Sequence, residues 1–216
     1  MKKAQKNFNT TIANLYQLGN RIIGLLERDI SEFNKYGITE AHVNELRSNI
    51  DQFNNLPFDE LYEQRQILLS KEKSEKEETL KMALRNLILK IEMAYEQSNV
   101  LYLTISRTKL LKLSSSELCV HTKSILIIVE ENLDMLSNFG VTTSEIDNLK
   151  TLSDELTILN IDREVAIYKR VSATNHRVIE ANKIYKQISK YFYMGRKIWA
   201  EQSEALYNDY ILQKQK

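Results

Sequence analysis

One proline and five glycines in 216 residues leave this chain too few turn formers for an all-β or ordinary mixed fold. It therefore reads as all-α, a chain of helices with few breaks. An apolar fraction of 43% supplies a core, and the length suits one large domain or two small ones. Thirty Lys and Arg stand against 29 Asp and Glu, a formal net charge of +1. That balance gives no global field to gather nucleic acid or anionic lipid, although it leaves room for a local patch. The single cysteine, Cys119, allows no internal disulfide, which suits a reducing compartment. Lys2 and Lys3 are followed by polar residues where a signal peptide needs an apolar stretch, and the most apolar run, Ile125 to Val129, falls far short of the roughly 20 residues that cross a bilayer. The expectation is a cytoplasmic protein with no membrane span.

The chain repeats itself. Glu32-Phe33-Asn34-Lys35-Tyr36-Gly37-Ile38-Thr39 matches Met135-Leu136-Ser137-Asn138-Phe139-Gly140-Val141-Thr142 at an offset of 103. The same offset pairs Ile22 with Ile125, Leu26 with Val129, Val43 with Ile146, Leu46 with Leu149 and Phe53 with Leu156. Glu96-Gln97-Ser98 with Leu101-Tyr102 returns as Glu201-Gln202-Ser203 with Leu206-Tyr207, offset by 105. This predicts two tandem copies of an antiparallel helical bundle, about four helices each with a long third helix, occupying residues 1–113 and 114–216.

Each copy opens with an amphipathic helix; in the first, Phe8, Ile12, Leu15, Ile22, Leu26 and Phe33 recur at steps of three and four. Gly37 and Gly140 then suit a left-handed C′ position, with Ile38 and Val141 closing back on the last turn. Thr39 and Thr142 are placed as N-caps of the second helix. Glu145 stands three residues after Thr142 as a capping-box partner, and His42 holds the matching place in the first copy. Pro57 marks the start of the third helix, and Asn160 is the expected cap of its counterpart. The run from Lys71 to Glu78 has no apolar member, so the third helix either crosses solvent there or breaks, with Ser74 and Glu77 able to cap a restart. A break near 173–176 is left open likewise. Ser114 and Glu117 form a capping box between the copies, and short fourth helices carry Leu101-Tyr102 and Leu206-Tyr207.

The Tyr/Phe-Gly-Ile/Val-Thr turn, the long third helix and the Ser-x-x-Leu-Tyr turn, each present twice, resemble tandem all-helical proteins of Bacteroidetes-type bacteria. The resemblance covers nearly the whole chain. It implies a fold and brings no activity, cofactor or site with it.

Chemistry is sparse. His42, His121 and His176 show no Glu-x-x-His or His-Glu-x-x-His spacing, so no metal site is expected. Cys119 and His121 point about 200° apart around a helix, and Cys119 reads as a buried structural thiol. No Gly-x-Gly or Gly-Lys-Ser/Thr loop can be written. Neither a cofactor nor a catalytic residue is expected.

One stretch stands out. Residues 181–200 hold Lys183, Lys186, Lys190, Arg196 and Lys197 with no Asp or Glu, together with Tyr185, Tyr191, Phe192, Tyr193 and Trp199. Tyr185, Phe192 and Trp199 are seven apart and read as a core stripe. Tyr191 and Tyr193 lie off it, and with the five cations they form the candidate binding surface. The leading expectation is a non-catalytic scaffold or protein-interaction module whose partner is another protein or a second copy. The alternative is a binder of nucleic acid or another polyanion through residues 183–199, which the near-neutral net charge disfavours.

Overall fold

The computed structural model describes residues 3–57, 59–95 and 112–212. Among them the regular structure is entirely helical: α1 (Ile12–Arg28), α2 (Ile30–Asn34), α3 (Glu40–Asn54), α4 (Asp59–Ala94), α5 (Ser115–Glu131), α6 (Leu133–Leu136), a 3-10 turn (Ser137–Phe139), α7 (Thr143–Trp199) and α8 (Glu204–Asp209). The expected helix at Leu101-Tyr102 lies outside the described residues. No described helix is long and apolar enough to cross a membrane.

The shared turn forms twice. Gly37 has φ +82° and Gly140 φ +80°, a region that L side chains rarely enter. The amide of Ile38 donates to the carbonyl of Phe33 and that of Val141 to Leu136, both at 3.2 Å. Both closing side chains are buried. The following caps differ. At Thr39 the box is complete, with His42 Nδ1 accepting the Thr39 amide at 3.2 Å. At Thr142 only half of it forms: the Glu145 amide donates to the Thr142 hydroxyl (3.2 Å), while the Glu145 carboxylate takes the Lys90 ammonium at 2.6 Å. Ser114 and Glu117 make the complete box expected of them.

Pro57 lies two residues before Asp59, where α4 begins, rather than inside its first turn. At the matching position Asn160 caps nothing, because it lies inside the 57-residue α7. An asparagine inside a helix costs only a fraction of a kcal/mol, about 0.7 at most, against about 3 for proline. The second and third helices expected of the second copy are therefore one, and 173–176 holds no break. Nor does α4 break at 71–78. Lysine and glutamate are strong helix formers, and this run is pinned by Lys76 to Glu155 on α7 (2.7 Å) and by Lys81 to Glu77 (2.6 Å). Burial alone would raise the Glu77 carboxyl. Hydrogen bonds from Lys81 and from Ser115, in the first turn of α5, outweigh it and hold the group below the ordinary glutamate value.

The packing does not follow the boundary at 113/114. One compact unit comprises Met1–Asp59 with Arg170–Lys216, and the other Glu60–Lys169. In the first, Leu15, Ile22, Leu26 and Phe33 of α1 and α2, with Val43, Leu46 and Ile50 of α3, close on Ile184, Ile188, Tyr191 and Phe192 of α7. In the second, Leu80, Leu84, Leu87 and Ile88 of α4 close on Leu118, Leu126 and Val129 of α5 and on Ile146, Leu149 and Leu156 of α7. The opening helices of each sequence half thus pack with the closing helix of the other half. An α-helix with no turn at 71–78 cannot fold its second half back onto the helices just before it. Each fully buried Leu or Ile contributes about 1.5–3 kcal/mol, so these cores dominate the stability of both units.

Candidate functional site

The candidate residues lie on the last third of α7, in the unit formed by Met1–Asp59 and Arg170–Lys216. Helix periodicity sorts them. Ile184, Ile188, Tyr191 and Phe192 are buried, and Tyr185 and Trp199 pack at the edge of the same core. The expected core stripe at Tyr185, Phe192 and Trp199 is therefore present. Tyr191, expected on the binding surface, is instead only 6% exposed. It follows Ile184 by one heptad, so the same face takes both inward. Burial and the negative charge of Glu45 raise its phenol above the ordinary tyrosine value.

Lys183, Lys186, Lys190, Tyr193 and Lys197 step by three and four residues and fall within about 80° of helix circumference. All five are exposed, Tyr193 by 55%. The row extends for about 21 Å along the helix axis. Lys183 is engaged by Glu180 at 2.7 Å, and the Lys197 ammonium lies 5.8 Å from the centre of the Tyr193 ring. Among the described residues, Lys186, Lys190 and Lys197 have no carboxylate partner. Arg196 is half-buried and stands off this row.

Beside the row runs a groove of about 610 Å³ between α3 and α7, lined by Asn49, Gln52, Phe53, Leu56, His176, Glu180, Lys183, Ile184, Lys186 and Gln187. Asn49 donates to Gln187 across it at 3.3 Å. Gly195 lies within α7 and leaves it unbroken. Its missing side chain makes room for Tyr210: a Cβ there would meet three ring atoms at 2.1–2.4 Å.

That tyrosine belongs to a buried polar cluster that periodicity does not reveal. Asp29, 6% exposed, stands at the kink between α1 and α2. It accepts hydrogen bonds from Arg28 (2.8 and 2.9 Å), the Tyr210 hydroxyl (2.8 Å) and the Trp199 indole (3.2 Å). Burial works to raise the carboxyl, but the bonds from Arg28 and Tyr210 prevail and lower it. Tyr210 is pushed up by burial and by its bond to Asp29. Arg28, Tyr210 and Trp199 thus all converge on one carboxylate.

The other chemical candidates are dispersed. Cys119 is buried in the second core while His121 on the same helix is exposed. His42 serves its cap, and His176 is 58% exposed at the groove. Among the described residues no three His, Cys, Asp or Glu side chains gather as a metal site.

A second exposed feature lies outside the surface expected from the sequence. In the Glu60–Lys169 unit, Ile158, Ile161, Val165 and Tyr168 of α7 are 58%, 57%, 44% and 63% exposed. Their spacing of 3, 4 and 3 is that of heptad a and d positions. The opposite side of the same segment packs inward through Ala166, and Arg163 donates there to Ser70 of α4 at 3.1 Å. The spacing is present in the sequence, but spacing alone does not state whether an apolar stripe faces the core or solvent.

No family model, curated protein or solved structure matches the chain.

Proposed function

We propose that the protein is a non-catalytic helical interaction module, a duplicated bundle whose copies have exchanged their long helices. It docks a second helix on the apolar stripe of α7. The observation that carries this reading is the exposure of Ile158, Ile161, Val165 and Tyr168 at heptad spacing. Isolated apolar residues on a surface are ordinary, whereas a periodic row with a polar border has the form of a helix-docking face. The partner that fits is a second copy of this chain. Glu164 and Lys169 border the row at g and e positions, five residues apart, so a parallel copy would form the pair twice. Lys169 is exposed and has no ion pair among the described residues.

Sedimentation equilibrium over a hundredfold range of protein concentration tests the reading. The expected result is a reversible dimer that Ile161→Lys/Val165→Lys abolishes while helical circular dichroism is unchanged. A monomer throughout, or a dimer indifferent to the double substitution, would overturn it.

A further inference from the structure

The near-neutral charge of the chain conceals a division. By sequence, the Met1–Asp59/Arg170–Lys216 unit carries 16 Lys and Arg against 11 Asp and Glu, a net +5. The Glu60–Lys169 unit carries 14 against 18, a net −4. The lysine row belongs to the positive unit, so the objection drawn from overall charge does not apply to it. We propose that this row and the adjoining α3–α7 groove bind single-stranded nucleic acid.

Four features fit that ligand class. The four lysines form a line with axial steps of about 4.5, 6 and 10.5 Å along a straight helix, Tyr193 filling the longest gap, a run that a polyphosphate backbone can follow. Three of the four lysines have no carboxylate to compete with a phosphate. Tyr193, 55% exposed within the row and with the Lys197 ammonium over its ring, offers an aromatic surface on which an unpaired base can stack, whereas a base inside a duplex cannot. The groove adds a floor formed by the edges of Phe53 and Ile184, only 5% and 4% exposed, beside the amides of Asn49, Gln52 and Gln187. That mixture suits the flat faces and polar edges of an unstacked base, and a duplex would hide both. An anionic membrane surface would use the lysines but neither the ring nor the groove.

Fluorescence anisotropy of the full chain with a labelled oligothymidylate and an oligouridylate provides the test. A labelled duplex and phosphatidylserine-containing vesicles serve as competitors. Four phosphate contacts predict a log–log salt slope of about −3, or roughly fiftyfold weaker binding between 50 and 200 mM salt. Lys186→Glu/Lys190→Glu/Lys197→Glu should weaken binding at least tenfold and flatten the slope. Tyr193→Ala should weaken it several-fold with the slope preserved. Lys71→Glu/Lys73→Glu, on exposed α4 positions or nearly so, should leave it unchanged. The proposal is overturned by absence of binding at low salt, by an equal loss in the α4 variant, by an unaffected triple variant, or by preference for duplex or vesicles. The outcome is independent of dimerisation, because the α7 apolar stripe and the lysine row share no residue.

Discussion

At Asp29 the backbone turns with φ −105° and ψ 16°, and at Asn132, 103 residues on, with φ −115° and ψ 16°. Each residue ends one helix and begins a short second one, and each accepts a hydrogen bond from an aromatic residue at the end of a long helix. Trp199 and Tyr210 reach Asp29, and Tyr95 reaches Asn132 at 3.3 Å. The electrostatics differ. Asp29 is a buried anion with Arg28 against it, whereas Asn132 is a neutral amide that donates to the Ile128 carbonyl at 2.8 Å. The same kink can thus be held by a charged cluster or by a neutral one. The charged version needs more partners, because an ion withdrawn from water must have its lone pairs satisfied.

The largest expected effect breaks the charged cluster from behind. Gly195→Ala should destabilise the Met1–Asp59/Arg170–Lys216 unit by about 3 kcal/mol, the upper end for overpacking, since the Tyr210 ring it strikes is fully buried. Hydrogen exchange in the variant should show the loss concentrated in α1, α2 and the end of α7. Protection retained there at wild-type level would mean that the glycine is not Tyr210's seat.

Asp29→Asn makes the first kink chemically like the second. It should cost about 1–3 kcal/mol in denaturant unfolding, through loss of bonds to a charged acceptor. It should also change the acid limb. The folded carboxyl lies below its unfolded value of about 3.9, so its contribution is complete above that pH and is lost as pH falls through the folded value. Stability of the variant should therefore fall less steeply below about pH 4. An unchanged acid limb would assign that pH dependence to other carboxylates.

The smallest effects concern the shared turn. Gly37→Val and Gly140→Val should each cost about 1 kcal/mol or more, and by similar amounts, because both have positive φ and open space around a new Cβ. A large disparity would mean that the two turns carry different loads despite their common geometry.

These particulars show which parts of the molecule were legible in advance. The turns were, because a glycine followed by an apolar residue and a threonine encodes a local geometry. The buried lining of the bundles was legible as well, since Leu80 to Ile91 and Ile184 to Ile198 follow helical spacing. Partner choice was not. Nothing in the periodicity of α4 states which helices cover it, and that depended on whether 71–78 would turn. The absence of a proline at position 160 was visible, but its consequence was obscured by the good capping chemistry of Asn160. Of the candidate surface, the lysines and Tyr193 could be read from spacing, whereas Tyr191 required knowing how wide the buried face of α7 is. Asp29 gave no signal, since an acidic residue in an amphipathic helix ordinarily faces water.

The insertion of the Glu60–Lys169 unit, in sequence, within the other also sets an order for synthesis. Leu15, Ile22 and Leu26 find their α7 partners only when Ile184, Ile188 and Phe192 have been made, more than 150 residues later in the chain. The partners in the Glu60–Lys169 core are all present by Leu156. At about 5–20 residues per second, the N-terminal helices wait on the order of ten to thirty seconds for their cover, while the inner unit can already close. The inserted unit is therefore complete on the ribosome before the unit that brackets it, and the apolar face of α1 is the surface that a nascent-chain chaperone would meet first.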